Sequence, residues 1–167
     1  MRKNVACRSE KDEMIHDKAL HLLEPYGVVG CYVDLPDEVM TTKLIRSLLE
    51  QGKVVMIPQT HKEHLSFHPI SSLDETVKGV FGVREPVSDE GDVSAIEAFI
   101  VPLLCFDEEG YRLGYGKGYY DRVLKDHKAV KIGIAYDMQK CAHVPHEEHD
   151  IPLDVIISEN EIYKRKR

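Results

Sequence analysis

Two stretches near the start of the chain repeat apolar residues at helical spacing. The first places four apolar residues on one face: Ile15, Ala19, Leu22 and Leu23. Ser9 and Asp12 precede this face with the spacing of a capping box, and Gly27 is positioned to end the helix. The second helix is predicted to start at Asp37 and to stop at Gly52. Its apolar positions are Val39, Leu44, Ile45, Leu48 and Leu49.

Short apolar runs lie between and after these helices, and each predicts a buried strand. The predicted strands are residues 28–33, 54–57, 99–101, 131–136 and 154–158, with Pro58 ending the second. Residues 59–97 are less regular, although their apolar positions alternate in part as in a strand: Leu65, Phe67 and Ile70. A further helix is predicted from Tyr119 to Lys125. This succession predicts an α/β fold, a three-layer sandwich with a largely parallel, open, Rossmann-like central sheet.

Composition narrows the class of protein. The chain has 167 residues, 43% of them hydrophobic and 31% charged, which is typical of a globular protein with one core. We therefore expect a single domain over residues 1–167, as a monomer or weak homodimer. A net charge of −7 argues against a nucleic-acid partner, despite the basic end at residues 164–167.

Other features bear on the compartment. No apolar run approaches the roughly 20 residues of a membrane span, and the N-terminus has no apolar signal-peptide core, so we expect no membrane partner. The four cysteines are far apart in sequence and form no C-x-x-C pair: Cys7, Cys31, Cys105 and Cys141. They are typical of reduced thiols rather than of a disulfide or zinc framework, which predicts a cytoplasmic protein.

The segment between residues 101 and 124 carries the strongest chemical signal. Four glycines follow an apolar run within it: Gly110, Gly114, Gly116 and Gly118. Glycine lets a backbone approach a bulky anion, and the interleaved Arg112, Lys117 and Arg122 supply counter-charge for phosphate oxygens. Asp121 is a hard oxygen ligand suited to a magnesium ion shared with phosphates. The pattern favours a nucleotide polyphosphate site.

Known phosphate motifs do not match this segment. A P-loop requires Ser or Thr after Gly-Lys, whereas Lys117 is followed by Gly118, and the glycine spacing is not that of a dinucleotide-binding loop. A glycine-rich hairpin with solvated charges is the alternative. The tandem Tyr119-Tyr120 followed at once by Asp121 favours the binding site, because a hairpin needs no such combination.

The same residues resemble a known family. The run from Arg112 to Asp121, RLGYGKGYYD, matches the R-L-G-x-G-x-G-Y-Y-D core of 5-formyltetrahydrofolate cyclo-ligases, also called 5,10-methenyltetrahydrofolate synthetases. The resemblance spans roughly residues 28 to 158. Other stretches agree with the family in order: Asp37-Glu38-Val39 with Thr41, Ile57-Pro58, Glu85-Pro86, Val101-Pro102, Phe106-Asp107, residues 132–136 and His149-Asp150.

The resemblance implies a set of roles. Catalysis would rest on Lys117 and Arg112, and magnesium on Asp121 and Asp150. ATP would be held by Arg112, Leu113, Gly114, Tyr115, Gly116, Lys117, Gly118, Tyr119 and Tyr120. The reduced folate would contact Val33, Glu38, Phe81, Tyr115, Gly116, Lys117, Gly118 and Tyr119.

Several of these roles have structural alternatives. Glu38 could be an acid at a helix N-terminus rather than the acceptor for a pterin edge. Phe81 and the two tyrosines could be core aromatics rather than ligand contacts. Because ligands bind beyond the carboxyl ends of parallel strands, we expect the glycine segment and Glu38 to converge on one cleft.

The resemblance implies ATP-dependent cyclisation of 5-formyltetrahydrofolate to 5,10-methenyltetrahydrofolate, with Mg²⁺ as the metal and ADP and phosphate as further products. Two alternatives remain: a paralogue acting on another small substrate, and a nucleotide-binding regulatory module without turnover. The presence of Glu38 together with Tyr119-Tyr120-Asp121 argues against both alternatives.

Two histidine groups invite a transition-metal interpretation. His143, His146 and His149 have regular spacing, but Pro145 prevents a helix from aligning them, so a polar surface loop is favoured over a zinc site. A second group lies along a predicted loop and strand, and we expect it to be solvated: His61, His64 and His68.

Overall fold

The computed structural model describes residues 5–79 and 82–165. Three α-helices lie within these ranges: α1 (Arg8–Leu22), α2 (Thr42–Glu50) and α3 (Tyr119–Leu124). The strands are β1 (Val28–Cys31), β2 (Val54–Thr60), β3 (Leu65–Ile70), β4 (Thr76–Lys78), β5 (Arg84–Pro86), β6 (Ala98–Val101), β7 (Cys105–Phe106), β8 (Arg112–Leu113), β9 (Val130–Ile134), β10 (Val155–Ile157) and β11 (Ile162–Lys164). No helix among the described residues is long and apolar enough to cross a membrane.

The central sheet has seven strands in the order β11-β10-β9-β6-β1-β2-β3. Its five inner strands pair in parallel, and β3 and β11 join antiparallel at the two edges. Two small ribbons, β4–β5 and β7–β8, lie outside this sheet. The largely parallel α/β sheet predicted from the sequence is confirmed.

Side chains of the inner strands fill two cores on opposite faces of the sheet. One face packs Val29, Val55 and Ile100 with residues of α1 and α2. The other packs Met56, Phe99 and Val101 with residues of α3 and its preceding loop. Side chains along β6 alternate between the two faces of the sheet, so Phe99 and Val101 lie in one core and Ile100 lies in the other. Helices on both faces make the three-layer sandwich.

The chain reverses its direction of travel across the sheet at β1. From β1 it passes through α2 to β2 on one side, whereas β6 pairs with β1 on the other side. The segments that follow β1 and β6 therefore diverge from adjacent strand ends. A crevice at such a reversal is where open α/β sheets bind ligands. The glycine-rich segment and residues 32–41 both begin there.

The predicted beginning of α1 was wrong in detail. Its N-cap residue is Cys7, with a left-handed backbone (φ 54°) and no side-chain cap. Asp12 does not serve a capping box; it is 3% exposed and accepts a hydrogen bond from the Tyr136 hydroxyl (2.5 Å). The helix also ends at Leu22, before Gly27. The Asp12 carboxylate therefore bonds the distant Tyr136 instead of capping its own helix.

The second helix begins at Thr42, five residues later than Asp37. Residues 34–41 form a tight loop in which the Asp34 carboxylate accepts hydrogen bonds from the backbone N–H groups of Thr41 (3.0 Å) and Thr42 (3.2 Å). Val39 is buried from this loop rather than from the helix. The predicted stop was correct, since Gly52 follows the helix with a φ of +80°.

Strand β2 continues through Pro58 to Thr60, where a stop had been predicted. Proline lacks a backbone donor, so it is tolerated in a strand only where no neighbour needs that donor. β1 pairs with β2 only as far as Met56, and beyond that β3 alone lies alongside, with Pro58 opposite Phe67. The missing donor therefore costs no ladder hydrogen bond with β1.

Candidate functional site

The loop after β1 and the glycine-rich loop meet at the reversal point of the sheet. The Tyr115 hydroxyl donates a hydrogen bond of 3.0 Å to Glu38 Oε2, across 77 positions of sequence. Both residues were candidates from the sequence, and the expected convergence of the two segments is confirmed. We call the region between these two loops the cleft.

Glu38 is held as a partly buried acid on the wall of this cleft. Its Oε1 accepts a hydrogen bond from the Leu35 backbone N–H at 2.8 Å, which fixes the carboxyl group within its own turn. Burial raises the pKa of Glu38, while the hydrogen bonds from Leu35 and Tyr115 lower it and Asp34 and Asp37 raise it slightly. Glu38 lies four positions before the first residue of α2, which rules out the alternative that it is a helix N-terminal acid.

The glycine-rich loop uses its glycines for two different purposes. Gly116 and Gly118 have φ angles of +85° and +66°, a region that other residues rarely adopt. A Cβ atom added at Gly116 would meet nothing within 4 Å, so the backbone there faces open space. A Cβ atom at Gly114 would lie 2.6 Å from Arg112 Nη1, so Gly114 makes room for the guanidinium group.

Arg112 lies beneath the loop with its side chain only 8% exposed. Nη1 donates to the Pro102 carbonyl at 3.3 Å, and the guanidinium carbon lies 5.7 Å from the centre of the Tyr120 ring. Its Nε is the only buried side-chain nitrogen or oxygen without a hydrogen-bond partner among residues 5–79 and 82–165. Burial lowers the pKa of Arg112, and Asp121, Tyr120 and Asp150 oppose this. An arginine stays protonated under such conditions, so the group is a buried positive charge.

Asp121 and Asp150 both lie close to that charge. Asp121 Oδ1 is 3.8 Å from Arg112 Nη2 and accepts a hydrogen bond from the Ile151 backbone N–H at 3.1 Å. This bond holds the segment around Asp150 against the start of α3. Asp150 Oδ2 accepts from the Glu147 backbone N–H at 2.8 Å. The side chains of Asp121 and Asp150 remain 20% and 31% exposed, so both carboxylates are open to a ligand.

The tandem tyrosines take different positions. The Tyr119 hydroxyl donates to the backbone carbonyls of His61 (3.1 Å) and Lys62 (3.2 Å), and Arg122 lies over its ring at 5.2 Å. Tyr120 packs into the core behind the loop, edge-on to Phe67 with ring centres 6.5 Å apart. Burial raises the pKa of Tyr120. Tyr119 therefore joins the loop to the β2–β3 hairpin, while Tyr120 supports it from below.

This hairpin was missed as part of the site. His68 was expected to be solvated, but it is 6% exposed and its Nδ1 donates to the Ser88 carbonyl at 2.7 Å. Its Nε2 is 2.7 Å from Ser66 Oγ, which is also 2.7 Å from His61 Nε2. Both faces of β3 are buried, so its polar residues Ser66 and His68 lie inside the protein like the apolar Leu65 and Phe67. The alternation of these polar and apolar residues was the sequence signal.

The other predicted contacts differ in accessibility. Lys117 is exposed and makes no hydrogen bond or ion pair with any described residue. Leu113 is 51% exposed, whereas Val33 is 4% exposed and packs in the core below the cleft. Phe81 lies outside the described residues. The contacts of Lys117, Leu113, Val33 and Phe81 with ligands stay predictions.

The segment from His143 to His149 is a surface loop, as the sequence favoured. His146 stacks on Tyr111 with ring centres 3.4 Å apart, and its ring centre lies 5.7 Å from that of His143. In the described part of the chain, one set of three possible metal-ligand atoms lies within 4.8 Å, and it belongs to α1: Glu13, His16 and Asp17.

A groove of about 540 Å³ lies elsewhere, at the amino ends of the parallel strands. Tyr26, Glu97 and His127 line it. Glu97 Oε1 already accepts hydrogen bonds from the backbone N–H groups of Gly27 and Val28, and His127 Nε2 bonds to the Val93 carbonyl. These polar groups serve the fold, so volume alone does not make this groove the functional site.

Comparisons with known proteins identify the family of this chain. The 5-formyltetrahydrofolate cyclo-ligase family model matches residues 2–159, so the likeness includes α1 and extends further than the sequence motifs indicated. A 5-formyltetrahydrofolate cyclo-ligase of Escherichia coli is 34% identical over 148 residues, covering 81% of this chain and 80% of the relative. The mouse protein of the same name is 32% identical over 150 residues, covering 79% and 73%.

Solved structures give the same result. The 5,10-methenyltetrahydrofolate synthetase of Aquifex aeolicus superimposes with a TM-score of 0.86 at 32% identity, covering 99% of this chain and 88% of that one. The synthetase of Mycoplasma pneumoniae gives a TM-score of 0.76 at 26% identity, covering 95% and 92%. The chain belongs to the 5-formyltetrahydrofolate cyclo-ligase family.

Proposed function

We propose that this protein catalyses the ATP-dependent cyclisation of 5-formyltetrahydrofolate to 5,10-methenyltetrahydrofolate, releasing ADP and phosphate. The observation that carries the proposal is the contact between Tyr115 and Glu38. It brings an acid suited to a pterin edge to the glycine-rich loop suited to phosphates. A cyclisation that consumes ATP needs both ligands in one cleft.

The reaction needs phosphoryl transfer because the formyl oxygen is a poor leaving group. N10 must attack the formyl carbon and expel that oxygen to close the ring, and hydroxide does not leave at neutral pH. Transfer of the γ-phosphoryl group converts the oxygen to phosphate, which leaves readily. The protein then has to align two substrates and stabilise a moving negative charge, which is chiefly positioning and electrostatics.

Glu38 is the residue that we assign to the pterin. A carboxylate accepts two hydrogen bonds side by side, which matches the adjacent N–H donors of a pterin ring. Leu35 and Tyr115 each donate to one of its oxygens and hold the carboxyl group in place. Because burial raises the pKa of Glu38, pterin donors that favour its ionised form would add to these two bonds.

Arg112 and Lys117 supply the positive field for the phosphates. The Arg112 guanidinium is buried beneath Gly114 and fixed by the Pro102 carbonyl, so its charge is oriented before any ligand binds. Lys117 is exposed between two glycines and can follow a phosphoryl group as it moves. The backbone at Gly116, with open space where a side chain would be, lets nucleotide and formyl group approach closely.

Magnesium fits the pair Asp121 and Asp150. Mg²⁺ prefers oxygen ligands and commonly takes one or two carboxylates together with substrate phosphates. Both side chains keep exposed oxygens, and the bond from Ile151 to Asp121 holds their segments together. When bound there, the ion would neutralise phosphate charge during transfer.

One assay tests the proposal directly. The protein is mixed with 5-formyltetrahydrofolate and Mg-ATP, and the near-ultraviolet absorbance of the methenyl product is followed. We expect product only when both nucleotide and divalent cation are present. Product formed without ATP, or at full rate in excess chelator, would contradict the mechanism.

A second measurement separates the alternatives. Binding of ATP and folate is titrated in parallel with turnover. Binding of both ligands without turnover would indicate a regulatory module, and binding of ATP without folate would indicate a paralogue with another substrate. Either outcome would overturn the proposed reaction while leaving the nucleotide site in place.

A further inference from the structure

Two cysteines that are far apart in sequence meet beneath the glycine-rich loop. Cys105 begins β7, and Phe106 beside it forms an isolated parallel bridge with Lys140. The Cys141 backbone N–H donates to the Phe106 carbonyl at 2.8 Å, and the Cys141 thiol lies 3.4 Å from the same oxygen. The turn that follows β9 is therefore fastened to the β7–β8 ribbon next to both thiols.

The register of this bridge directs both thiols to one side. Residues paired across a parallel bridge point to the same face, and their chain neighbours point to the opposite face. Phe106 and Lys140 are the paired residues, so Cys105 and Cys141 lie diagonally to each other on the other face. A side-chain hydrogen bond joins the two thiols; burial raises the pKa of Cys105, and this bond raises it further. The thiols are therefore neighbours, and both residues are partly exposed.

We propose that Cys105 and Cys141 form an oxidative modification site, at which a peroxide converts the two thiols into an intramolecular disulfide. One thiolate attacks a peroxide oxygen, the O–O bond breaks, and a sulfenic acid and water result. The second sulfur then attacks the sulfenic sulfur, so that the S–S bond forms and the oxygen leaves as water. The two sulfurs are oxidised together by two electrons, the peroxide is reduced, and the two thiol protons end in water.

The place of this pair gives the modification a structural consequence. Cys105 lies opposite Leu113 in the β7–β8 ribbon, and Leu113 directly precedes Gly114. A disulfide would fix the base of the glycine-rich loop to the turn after β9, which closes a covalent loop from residue 105 to residue 141. The chemistry of the pair does not depend on the reaction proposed for the cleft.

Intact-protein mass spectrometry after peroxide treatment tests the site. The full-length protein carries Cys7→Ser, which removes the exposed cysteine and prevents cross-linking through it. We expect a loss of about 2 Da, the mass of two hydrogens, which is reversed by dithiothreitol. Tryptic digestion without reduction should join the peptide 85–112 to the peptide 141–164. Cys105→Ser and Cys141→Ser, each added to the Cys7→Ser protein, should both abolish the mass loss.

The oxidation rate adds a second readout. Because the pKa of Cys105 is raised, we expect disulfide formation to be slow at neutral pH and to accelerate as pH rises. Addition of oxygen to one cysteine without loss of hydrogen would overturn the proposal. So would a mass loss that persists in Cys141→Ser, because it would require a different pair. Circular dichroism before and after treatment confirms that the disulfide forms in the folded protein.

Discussion

Two carboxylates stand at different ends of the cleft, and their surroundings differ in kind. Glu38 is partly buried and is bracketed by a backbone N–H from Leu35 and the Tyr115 hydroxyl. Asp121 lies 3.8 Å from the Arg112 guanidinium and has Asp150 on the neighbouring segment. Glu38 accepts hydrogen bonds from neutral donors and has other acids, Asp34 and Asp37, as nearby charges, whereas Asp121 lies beside a guanidinium group.

The difference supports the two different roles that we propose for these carboxylates. A buried acid with a raised pKa gains most from a ligand that offers fixed hydrogen-bond donors. A partly exposed acid next to a second acid and a guanidinium group suits a cation that is shared with phosphates. The sequence motif contains Asp121 and the resemblance adds Glu38, and the surroundings of each carboxylate support the ligand that we propose for it. Substitutions at the two ends should therefore separate nucleotide chemistry from folate binding.

The largest effect is expected from Asp121→Asn. We expect turnover to fall by about a hundredfold or more, because the change removes one negative ligand from a metal that stabilises developing phosphate charge. Asparagine keeps an oxygen that can accept the Ile151 N–H, so the fold should remain intact. The measurement is the rate of methenyl formation across a magnesium titration.

Asp126→Asn is the matched control for this change. Asp126 is an exposed acid just after α3, and its left-handed backbone (φ 59°) suits asparagine as well as aspartate. Its rate and magnesium dependence should equal those of the unchanged protein. If Asp121→Asn behaved like this control, Asp121 would be only an acid at the start of a helix.

The next effect concerns Lys117. Lys117→Ala should lower kcat by about 30- to 100-fold with little change in folate binding, because its charge matters most while a phosphoryl group moves. Steady-state kinetics with each substrate varied in turn provide the measurement. Lys125→Ala, an exposed lysine at the end of α3, is the control and should change neither constant. An effect confined to the folate KM would instead assign Lys117 to the glutamate tail of the substrate.

The fold was largely predictable because its signals are local. Runs such as residues 55–57 and 99–101 are buried on both faces, and their continuous apolar sequence reflects that burial. One error occurred where a tertiary contact replaced a local one. Asp12 bonds Tyr136 across 124 positions instead of capping a helix, and no short window of sequence specifies that partner. The other error was local, because the Thr41 backbone bonds the Asp34 carboxylate in a loop that delays the start of α2.

The residues of the candidate site and the convergence of its two loops were predicted from the sequence, but the contacts with the β2–β3 hairpin were not. The glycine motif and Glu38 were found from the sequence, whereas the bond from Tyr119 to the His61 carbonyl was not. The acceptor is a backbone carbonyl, which every residue has, so the identity of residue 61 does not reveal the bond. The burial of His68 was missed because a histidine on a strand is equally compatible with either face.

A smaller effect is expected at the folate end of the cleft. Glu38→Gln should weaken folate binding by about 1–2 kcal/mol, or roughly five- to thirtyfold in Kd, while ATP binding stays unchanged. The amide offers the pterin one acceptor and one unwanted donor in place of two acceptors. Separate titrations of folate and nucleotide measure the effect, and Glu50→Gln at the exposed end of α2 is the control.

Thermal stability decides between a binding role and a structural role for Glu38. Burial raises its pKa, so the folded state favours the protonated form, and this contribution to stability is present at low pH and lost as pH rises through the raised pKa. A neutral glutamine should therefore not lower Tm at neutral pH. A large fall in Tm with loss of both ligands would show that Glu38 is structural.

The smallest effect is expected from Tyr115→Phe, which removes one hydroxyl from the contact that joins the two loops. The hydrogen bond from Tyr115 lowers the pKa of Glu38, so its loss should raise that pKa further. Folate binding that depends on ionised Glu38 is present above this pKa and is lost as pH falls through it. The loss should therefore begin at a higher pH in the variant, with Kd about two- to tenfold weaker at neutral pH. Tyr26→Phe, at the amino ends of the parallel strands, is the control and should leave the pH profile unchanged.

The double variant Glu38→Gln with Tyr115→Phe should bind folate as the Glu38 variant does, because the hydroxyl acts through the carboxylate. If the losses in folate binding free energy from the two changes were fully additive, Tyr115 would instead contact the ligand directly.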